Sequence, residues 1–200
     1  ARVQPRTPIA SDPPLRVLLV SPRPEDEHTP YIDHRVSAAP LVDALMPLGE
    51  LARLSFLNPP TWPALQAELV RARNANEAYH IVHFDGHGSV AMDDASGIGY
   101  GVLIFEHPGD ANQPSQRRSA STTSEQLGRT LREHRVPLVF LEACQSAHAE
   151  LDPTASVAGR LLLAGVASVV AMSHSVLVDT APRFGEVFYR RLLAGECVRQ

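Results

Sequence analysis

Short, mostly apolar runs alternate with helix-like segments along most of this chain, and this alternation limits the fold more than any other feature. Arg16-Val-Leu-Leu-Val20 is stopped by Ser-Pro-Arg-Pro, and Gly101-Val-Leu-Ile-Phe105 is followed by a polar segment. Runs of this length and apolarity are typical of strands that are covered on both faces. Such strands, joined through helices, form a mainly parallel sheet. The sequence therefore predicts a three-layer α/β/α fold with helices on both faces of the sheet.

The predicted elements follow from apolar periodicity and from start and stop signals. Thr61 and Ser124 are placed to cap helices, and Gly165 and Gly195 follow the ends of two others. The segment His107–Thr123 holds few apolar residues, so we expect a mobile surface loop with Arg117-Arg118 open to proteases. The predicted strands are Arg16–Val20, Glu50–Leu57, Tyr79–Phe84, Gly101–Phe105, Pro137–Cys144 and Val166–Met172. The predicted helices are Ala39–Leu48, Trp62–Asn76, Ser124–Arg135, Ser156–Ala164 and Pro182–Leu193.

Composition and charge exclude several partners and compartments. The formal net charge is -4, and no cation cluster marks a surface for a phosphate backbone or an anionic membrane. No run approaches the roughly 18 to 20 apolar residues that span a bilayer, and no export signal begins the chain. Cys144 and Cys197 are too few for the disulfide framework of a secreted domain. We therefore expect a cytoplasmic protein that binds neither nucleic acid nor membrane.

The chain length fits one domain, because 200 residues divided in two would give two very small cores. Residues 1–14 are proline-rich and lack periodicity, so we expect a linker or tail there and the domain at residues 15–200. The first residue is Ala rather than Met, which indicates a piece of a longer polypeptide with further domains upstream.

Two strand-like runs end in side chains that together suit nucleophilic catalysis. One reads Tyr79-His-Ile-Val-His-Phe-Asp-Gly-His87-Gly88, and the other reads Pro137-Leu-Val-Phe-Leu-Glu-Ala-Cys144. If the two strands are neighbours, both residues lie just past carboxyl ends about 4.8 Å apart, where parallel sheets carry their sites. A thiol with an ordinary pKa of about 8.5 is little ionised at neutral pH, and an imidazole can take its proton. The backbone amides of Gly88 and Cys144 are candidates to bind the developing oxyanion.

Other interpretations of these residues are weaker. A single buried cysteine is usually a small core residue, and a histidine beside a glycine is often a turn residue. His80, His83 and His87 resemble a metal cluster, but strand geometry sends His80 and His83 to opposite faces, so zinc is not expected. A nucleophile elbow needs a small residue two positions before the nucleophile, where this chain has Glu142. Cys197 lies past the last predicted helix and is expected to be inert.

Four segments in this order resemble the CHAT domain, a branch of the caspase-like cysteine peptidases related to separases, gingipains and clostripain. They are His-Phe-Asp-Gly-His87-Gly88, Leu-Glu-Ala-Cys144-Gln-Ser, Val157–Met172 and Phe184–Gly195. The resemblance covers about Leu15 to Gly195. It implies a caspase-like fold, His87 and Cys144 as a catalytic dyad, Gly88 and Cys144 as oxyanion donors, and neither a metal nor an organic cofactor.

The resemblance also implies a protein or peptide substrate and regulation by other domains. Members are often fused to tetratricopeptide repeats, and some are activated peptidases in bacterial defence or signalling that cut one partner protein. Other members are inactive scaffolds. Two hypotheses follow, an endopeptidase gated by upstream domains or a signal, and a non-catalytic caspase-like interaction module.

Two departures and a candidate pocket complete the comparison with the family. Ser173-His174-Ser175 stands where many members carry Trp, so the substrate-lining wall differs there and His174 is a candidate for it. The domain commonly continues with another helix after the position of Gly195, which indicates a truncated C-terminal end. Relatives that cut after a basic residue use an acidic pocket. Asp179 is the first candidate for such a residue here, with Glu142 and Asp85 as alternatives.

Overall fold

Strands and helices alternate along the part of the chain that the structure describes. The computed structural model describes residues 13–27, 29–33, 39, 41–43, 45–92, 97, 99–111, 117–144, 156–171 and 180–194. Its strands are β1 (Leu15–Val20), β2 (Ala52–Phe56), β3 (Ile81–Met92), β4 (Gly99–Glu106), β5 (Ser119–Thr123), β6 (Leu138–Cys144) and β7 (Ser168–Ala171). Its α-helices are α1 (Trp62–Asn74), α2 (Ser124–Glu133), α3 (Val157–Leu163) and α4 (Thr180–Leu193). Short 3-10 helices cover Met46–Leu51 and Pro108–Asp110.

The seven described strands form one mainly parallel sheet with an antiparallel extension. β1 pairs in parallel with β2 and β3, and β6 pairs in parallel with β3 and β7. β3 is longer than its parallel partners, and its second half pairs antiparallel with β4, which pairs antiparallel with β5. β3 is therefore central, with β1 and then β4 along one edge and β6 along the other.

Two apolar cores lie on opposite faces of the sheet. The larger core packs α1, α2 and α3 against one face, with Leu69, Leu131 and Leu161 buried in it. The smaller core packs Leu41 and the α4 residue Tyr189 against the other face. Since a sheet with two apolar faces needs a helical layer on each, the predicted α/β/α architecture is confirmed.

Side-chain caps mark where three of the described helices begin, among them α3, where Ser156 Oγ accepts the amide hydrogen of Gly159 at 3.0 Å. Thr61 Oγ1 accepts the amide hydrogen of Ala64 at 3.3 Å, as its position predicts. Thr123, not Ser124, caps α2, because Thr123 Oγ1 accepts the Gln126 amide while Gln126 Oε1 accepts the Thr123 amide, both at 3.2 Å. The predicted cap at Ser124 is thus wrong by one residue. None of the described helices is both long and apolar enough to cross a membrane.

Two strands differ from their predicted extents. β3 continues to Met92 instead of stopping at Phe84, because β4 supplies an antiparallel partner from His87 onward. β5 lies inside the segment predicted as a loop, and its backbone pairs with β4 although its side chains are polar. Arg117 and Arg118, predicted to be open to proteases, form ion pairs with Glu25 and Asp110.

The first predicted helix is also wrong in its second half. Described residues 39, 41–43 and 45 are helical, and Met46–Leu51 continues as a 3-10 helix. Pro47 lacks the amide hydrogen that an α-helix would need there, and Gly49 has a φ of 51°.

Gly101 of β4 occupies a position where the packing of α3 requires glycine. A methyl group on Gly101 would lie 2.8 Å from the Val157 nitrogen and 2.9 Å from its Cα. We expect Gly101→Ala to lower the free energy of unfolding by about 1–3 kcal/mol, measured by urea denaturation, because α3 must shift. Gly99→Ala is the matched control, since its methyl group would meet the side chains of Val90 and Met92 rather than backbone. Equal losses in the two variants would contradict this account.

Candidate active site

The central strands bring His87 and Cys144 together at the carboxyl edge of the parallel sheet. His87 is the register partner of Cys144, and this pair is the last in the β3–β6 ladder. Adjacent strands lie about 4.8 Å apart, and directly paired positions share a face of the sheet. The Cys144 side chain lies outside the described part of the structure, so the pairing described here is between the backbones of the two residues. It places the two predicted catalytic positions side by side.

His87 lies within a strand, whereas the sequence predicted it just past a strand end. β1 ends at Val20, opposite Phe84, and β4 then takes over that edge of β3 with Ile104 opposite His87. The His87 backbone therefore has β4 on one side and β6 on the other. A residue paired on both edges is held more firmly than a loop residue, because both of its neighbours restrict local opening.

A backbone carbonyl orients the half-buried imidazole of His87. His87 Nε2 lies 2.7 Å from the Pro30 oxygen, which can only accept, so Nε2 carries a proton and donates it. Burial lowers the pKa of His87 below its ordinary value; the Pro30 carbonyl opposes this effect, and the charge of Arg23 adds to it. The Asp85 and Asp26 carboxylates raise the same pKa by smaller amounts. A neutral ring protonated at Nε2 leaves Nδ1 as a proton acceptor.

Asp85, one of the alternatives for an acidic substrate pocket, is engaged with internal partners. Its side chain is buried, Ser21 Oγ donates to Oδ2 at 2.9 Å, and Arg23 forms an ion pair with the same oxygen. Arg23 Nη1 also donates to the Asp85 backbone oxygen at 2.7 Å. This geometry argues against Asp85 as a substrate-binding residue, because a buried and paired carboxylate offers no open anionic surface. The pair instead ties the segment after β1 to β3.

Glu142, the other alternative, is held by a chain of polar side chains that crosses the smaller core. Glu142 Oε2 lies 3.2 Å from His83 Nε2, and His83 Nδ1 lies 2.8 Å from the Tyr189 hydroxyl. Burial, together with the negative charge of Glu142, raises the pKa of Tyr189 well above its ordinary value, so the hydroxyl stays protonated. Tyr189 then donates to His83, and His83 donates to the Glu142 carboxylate.

Glu142 is partly exposed and lies near the predicted nucleophile. Its side chain is 17% exposed, and it lies two residues before Cys144 on β6. Among the described residues it is therefore the acidic candidate that lies closest along the chain to the predicted nucleophile. Asp179 and His174, the remaining predicted substrate-binding residues, lie outside the described residues.

Gly88, a predicted oxyanion donor, follows His87 in β3. It is opposite Leu103 of β4, whereas the described pairing with β6 stops one residue earlier at Cys144. At Gly88, β3 therefore has β4 along one edge and no described strand partner along the other.

The three histidines of β3 and its approach have separate partners. His80 Nδ1 accepts the amide hydrogen of Arg16 at 2.9 Å, His83 contacts Tyr189 and Glu142, and His87 contacts Pro30. Within the described ranges, no group of three or more His, Cys, Asp or Glu side chains is arranged to hold a metal ion.

Three residues of this region were missed by the sequence analysis, namely Pro30, Arg23 and Tyr189. Pro30 acts through a backbone oxygen, which no side-chain pattern can reveal. Tyr189 was predicted only as part of a helix and of a segment that resembles the family, with no role in the site. Arg23 had a signal, because the Ser-Pro-Arg-Pro stop after β1 lies at the same sheet edge as His87.

Comparison with protein families agrees with the fold and with the paired strands. A profile of the CHAT domain matches residues 6–200, which is nearly the whole chain and includes both β3 and β6. No curated protein matches the chain significantly. The chain therefore belongs to the CHAT domain family, which is related to the caspase-like peptidases.

Proposed function

We propose that this chain is a cysteine endopeptidase that cleaves a partner protein with a dyad of Cys144 and His87. The observation that carries the proposal is the register pairing of these two residues at the end of the β3–β6 ladder. The orientation of His87 supports it, since Nε2 is occupied by Pro30 and Nδ1 is left to accept a proton. Membership of a family related to caspase-like peptidases supports it independently.

In the proposed reaction, the Cys144 thiol passes its proton to His87 Nδ1 and its sulfur attacks the substrate carbonyl carbon. The negative oxygen of the tetrahedral intermediate is bound by the amides of Gly88 and Cys144. Protonated His87 then gives its proton to the leaving amine, and the C–N bond breaks to leave a thioester. A water molecule, deprotonated by His87, hydrolyses the thioester and restores the thiol.

The family relationship also supports a proposal about context. We infer that activity is gated by regulatory domains of the same polypeptide, such as tetratricopeptide repeats, or by a signal in a bacterial defence or signalling system. The compartment proposed is the cytoplasm. Co-expression of the full-length protein with neighbouring gene products, wild type against Cys144→Ala, identifies the substrate as a fragment seen with the wild type alone.

The alkylation rate of Cys144 by iodoacetamide tests the dyad without a substrate. We expect rapid alkylation at pH 7 in the wild type and slow alkylation in His87→Ala, with a rate ratio of about 10 or more. Mass mapping separates Cys144 from Cys197, which is the internal control. Equally slow alkylation in both proteins would favour the interaction module over the peptidase.

The pH dependence of this rate has a definite sign. Because burial lowers the pKa of His87, the neutral ring persists below its ordinary pKa of 6.5, and the acid limb of the wild-type profile should lie below that value. In His87→Ala the limb should move up toward about 8.5, the ordinary pKa of a thiol. Superimposable profiles would contradict the role of His87.

Substrate preference tests the acidic pocket. We propose that Glu142 and Asp179 favour a basic residue before the scissile bond, with the Glu142 carboxyl group oriented by its contact with His83 Nε2. Glu142→Gln should reduce kcat/KM for peptides with Arg or Lys there by about 10-fold or more, with little change for neutral residues. Asp179→Ala should shift the preference in the same direction. An unchanged peptide-library profile in both variants would rule out this pocket.

A further inference from the structure

The carbonyl that orients His87 belongs to a short segment with a defined anchor. We call residues 25–27 and 29–30 the Pro30 segment. Glu25 donates its amide hydrogen to the Arg117 oxygen at 2.6 Å and forms an ion pair with the Arg117 side chain. These contacts join the Pro30 segment to the residues that enter β5, about ninety positions later in the chain.

Asp26 is the centre of this anchor because both of its carboxylate oxygens accept hydrogen bonds. Oδ1 accepts the Thr29 hydroxyl at 2.5 Å, and Oδ2 accepts the Ser119 amide hydrogen at 2.6 Å. The Asp26 backbone oxygen also accepts the Thr29 amide hydrogen at 3.2 Å. One side chain therefore closes the turn before Pro30 and attaches it to the first residue of β5.

Thr29 connects the Asp26 anchor to the residue that contacts His87. It is buried and immediately precedes Pro30, whose exposed ring contributes little packing of its own. The 2.7 Å contact between the Pro30 oxygen and His87 Nε2 thus depends on a turn that Asp26 closes. Without that turn, water would compete for Nε2 and the two neutral tautomers of His87 would become closer in energy.

We propose that Asp26 is a positioning residue that holds the Pro30 carbonyl on His87 and thereby keeps the imidazole in the Nε2-protonated tautomer. The catalytic consequence rests on the peptidase function proposed above, whereas the tautomer does not. The arrangement also makes the orientation of His87 depend on the β4–β5 hairpin, since Ser119 opens β5.

The tautomer of His87 is measured directly from the ¹⁵N shifts of its ring by NMR. We expect Nε2 protonation in the wild type and a mixture of both neutral tautomers in Asp26→Ala. Asp26→Asn should retain the wild-type tautomer in large part, because its amide can accept from Ser119 and donate to Thr29. Thr29→Val keeps the side-chain shape and removes the hydroxyl, so it tests the same link if Asp26→Ala folds poorly.

Asp110→Ala is the matched control, because Asp110 is a carboxylate at the same hairpin whose bonds go to Arg118 and not to the Pro30 segment. A wild-type tautomer in both Asp26→Ala and Thr29→Val overturns the proposal. An equal tautomer change in Asp110→Ala also overturns it, since general loosening of the hairpin would then suffice.

Turnover separates this inference from the peptidase proposal. On a peptide that the wild type cleaves, Asp26→Ala should lower kcat by about 10- to 100-fold with KM nearly unchanged, and Asp26→Asn should recover much of it. A tautomer change without loss of kcat would overturn the positioning role in catalysis. If the wild type cleaves none of the peptides, this result would count against the peptidase function. The tautomer measurement would then decide whether Asp26 positions His87.

Discussion

Replacing Cys144 by alanine is expected to lower kcat for peptide cleavage by about 10⁴-fold or more, because in the proposed reaction its sulfur forms the covalent bond to the substrate. His87→Ala should cost a similar factor, since a thiol without its proton acceptor is little ionised at neutral pH. In the proposed reaction the two residues act as a unit, so the double variant should be little worse than either single variant. Initial rates on a cleavable peptide measure these factors, and each rate is divided by the concentration of folded protein.

His80→Ala is the matched control for His87→Ala. His80 directly precedes β3, at the opposite end of the β3–β6 ladder from His87, and its ring accepts the amide hydrogen of Arg16. The same chemical change there should leave kcat within a few-fold of the wild type. Comparable losses in His80→Ala and His87→Ala would point to general destabilisation and not to a dyad.

Arg23→Ala should lower the free energy of unfolding by about 3–5 kcal/mol, because it removes the cation that pairs with the buried Asp85 carboxylate. The Arg23 and Asp85 side chains are 7% and 2% exposed, so the pair is shielded from bulk water. Arg23 also donates to the backbone oxygens of Pro22 and Asp85, and its amide donates to Glu106 Oε1 at 2.9 Å. Urea denaturation of the single variants and of Arg23→Met/Asp85→Leu measures the effect.

Removing both charges should recover most of the loss, since apolar side chains of similar volume tolerate this environment. The exposed pair Arg129–Glu125, with side chains 58% and 70% exposed, is the control, and Arg129→Ala should change stability by no more than about 0.5 kcal/mol. A loss below about 1 kcal/mol in Arg23→Ala would show that the Arg23–Asp85 pair does not hold the segment after β1.

Much of the fold follows from local patterns in the sequence. Apolar runs such as Val17–Val20 are buried on both faces, and the alternation of strands with helices predicts the three layers. Burial periodicity is a local property, and this is why element type was predicted well. Predicted boundaries failed where pairing decided them. β5 is polar and becomes a strand because β4 is beside it, and β3 extends to Met92 for the same reason.

Some features of the candidate site were likewise predictable from local sequence, and others were not. His87 and Cys144 were predicted as site residues because each follows a strand-like run, and this is a local feature of the sequence around each residue. The role of Asp85 was not predictable, because whether a carboxylate faces a substrate or a buried arginine depends on where Arg23 is placed. Glu142 was a candidate because of its position in the sequence. Its link through His83 to Tyr189 was not predictable, because His83 and Tyr189 lie 106 positions apart in the chain.

By itself, the sequence determined the layer architecture, the two candidate catalytic residues and the motifs that resemble the family, since these depend on residue types and short spacings. The tertiary structure alone decided that His87 and Cys144 are register partners, that Asp85 is paired with Arg23, and that the Pro30 carbonyl orients His87. Strand register and contacts across 57 residues are set by packing of the whole chain. Every residue has a backbone oxygen, so no sequence pattern marks the one at Pro30. Its contact with His87 is therefore known only from the folded structure.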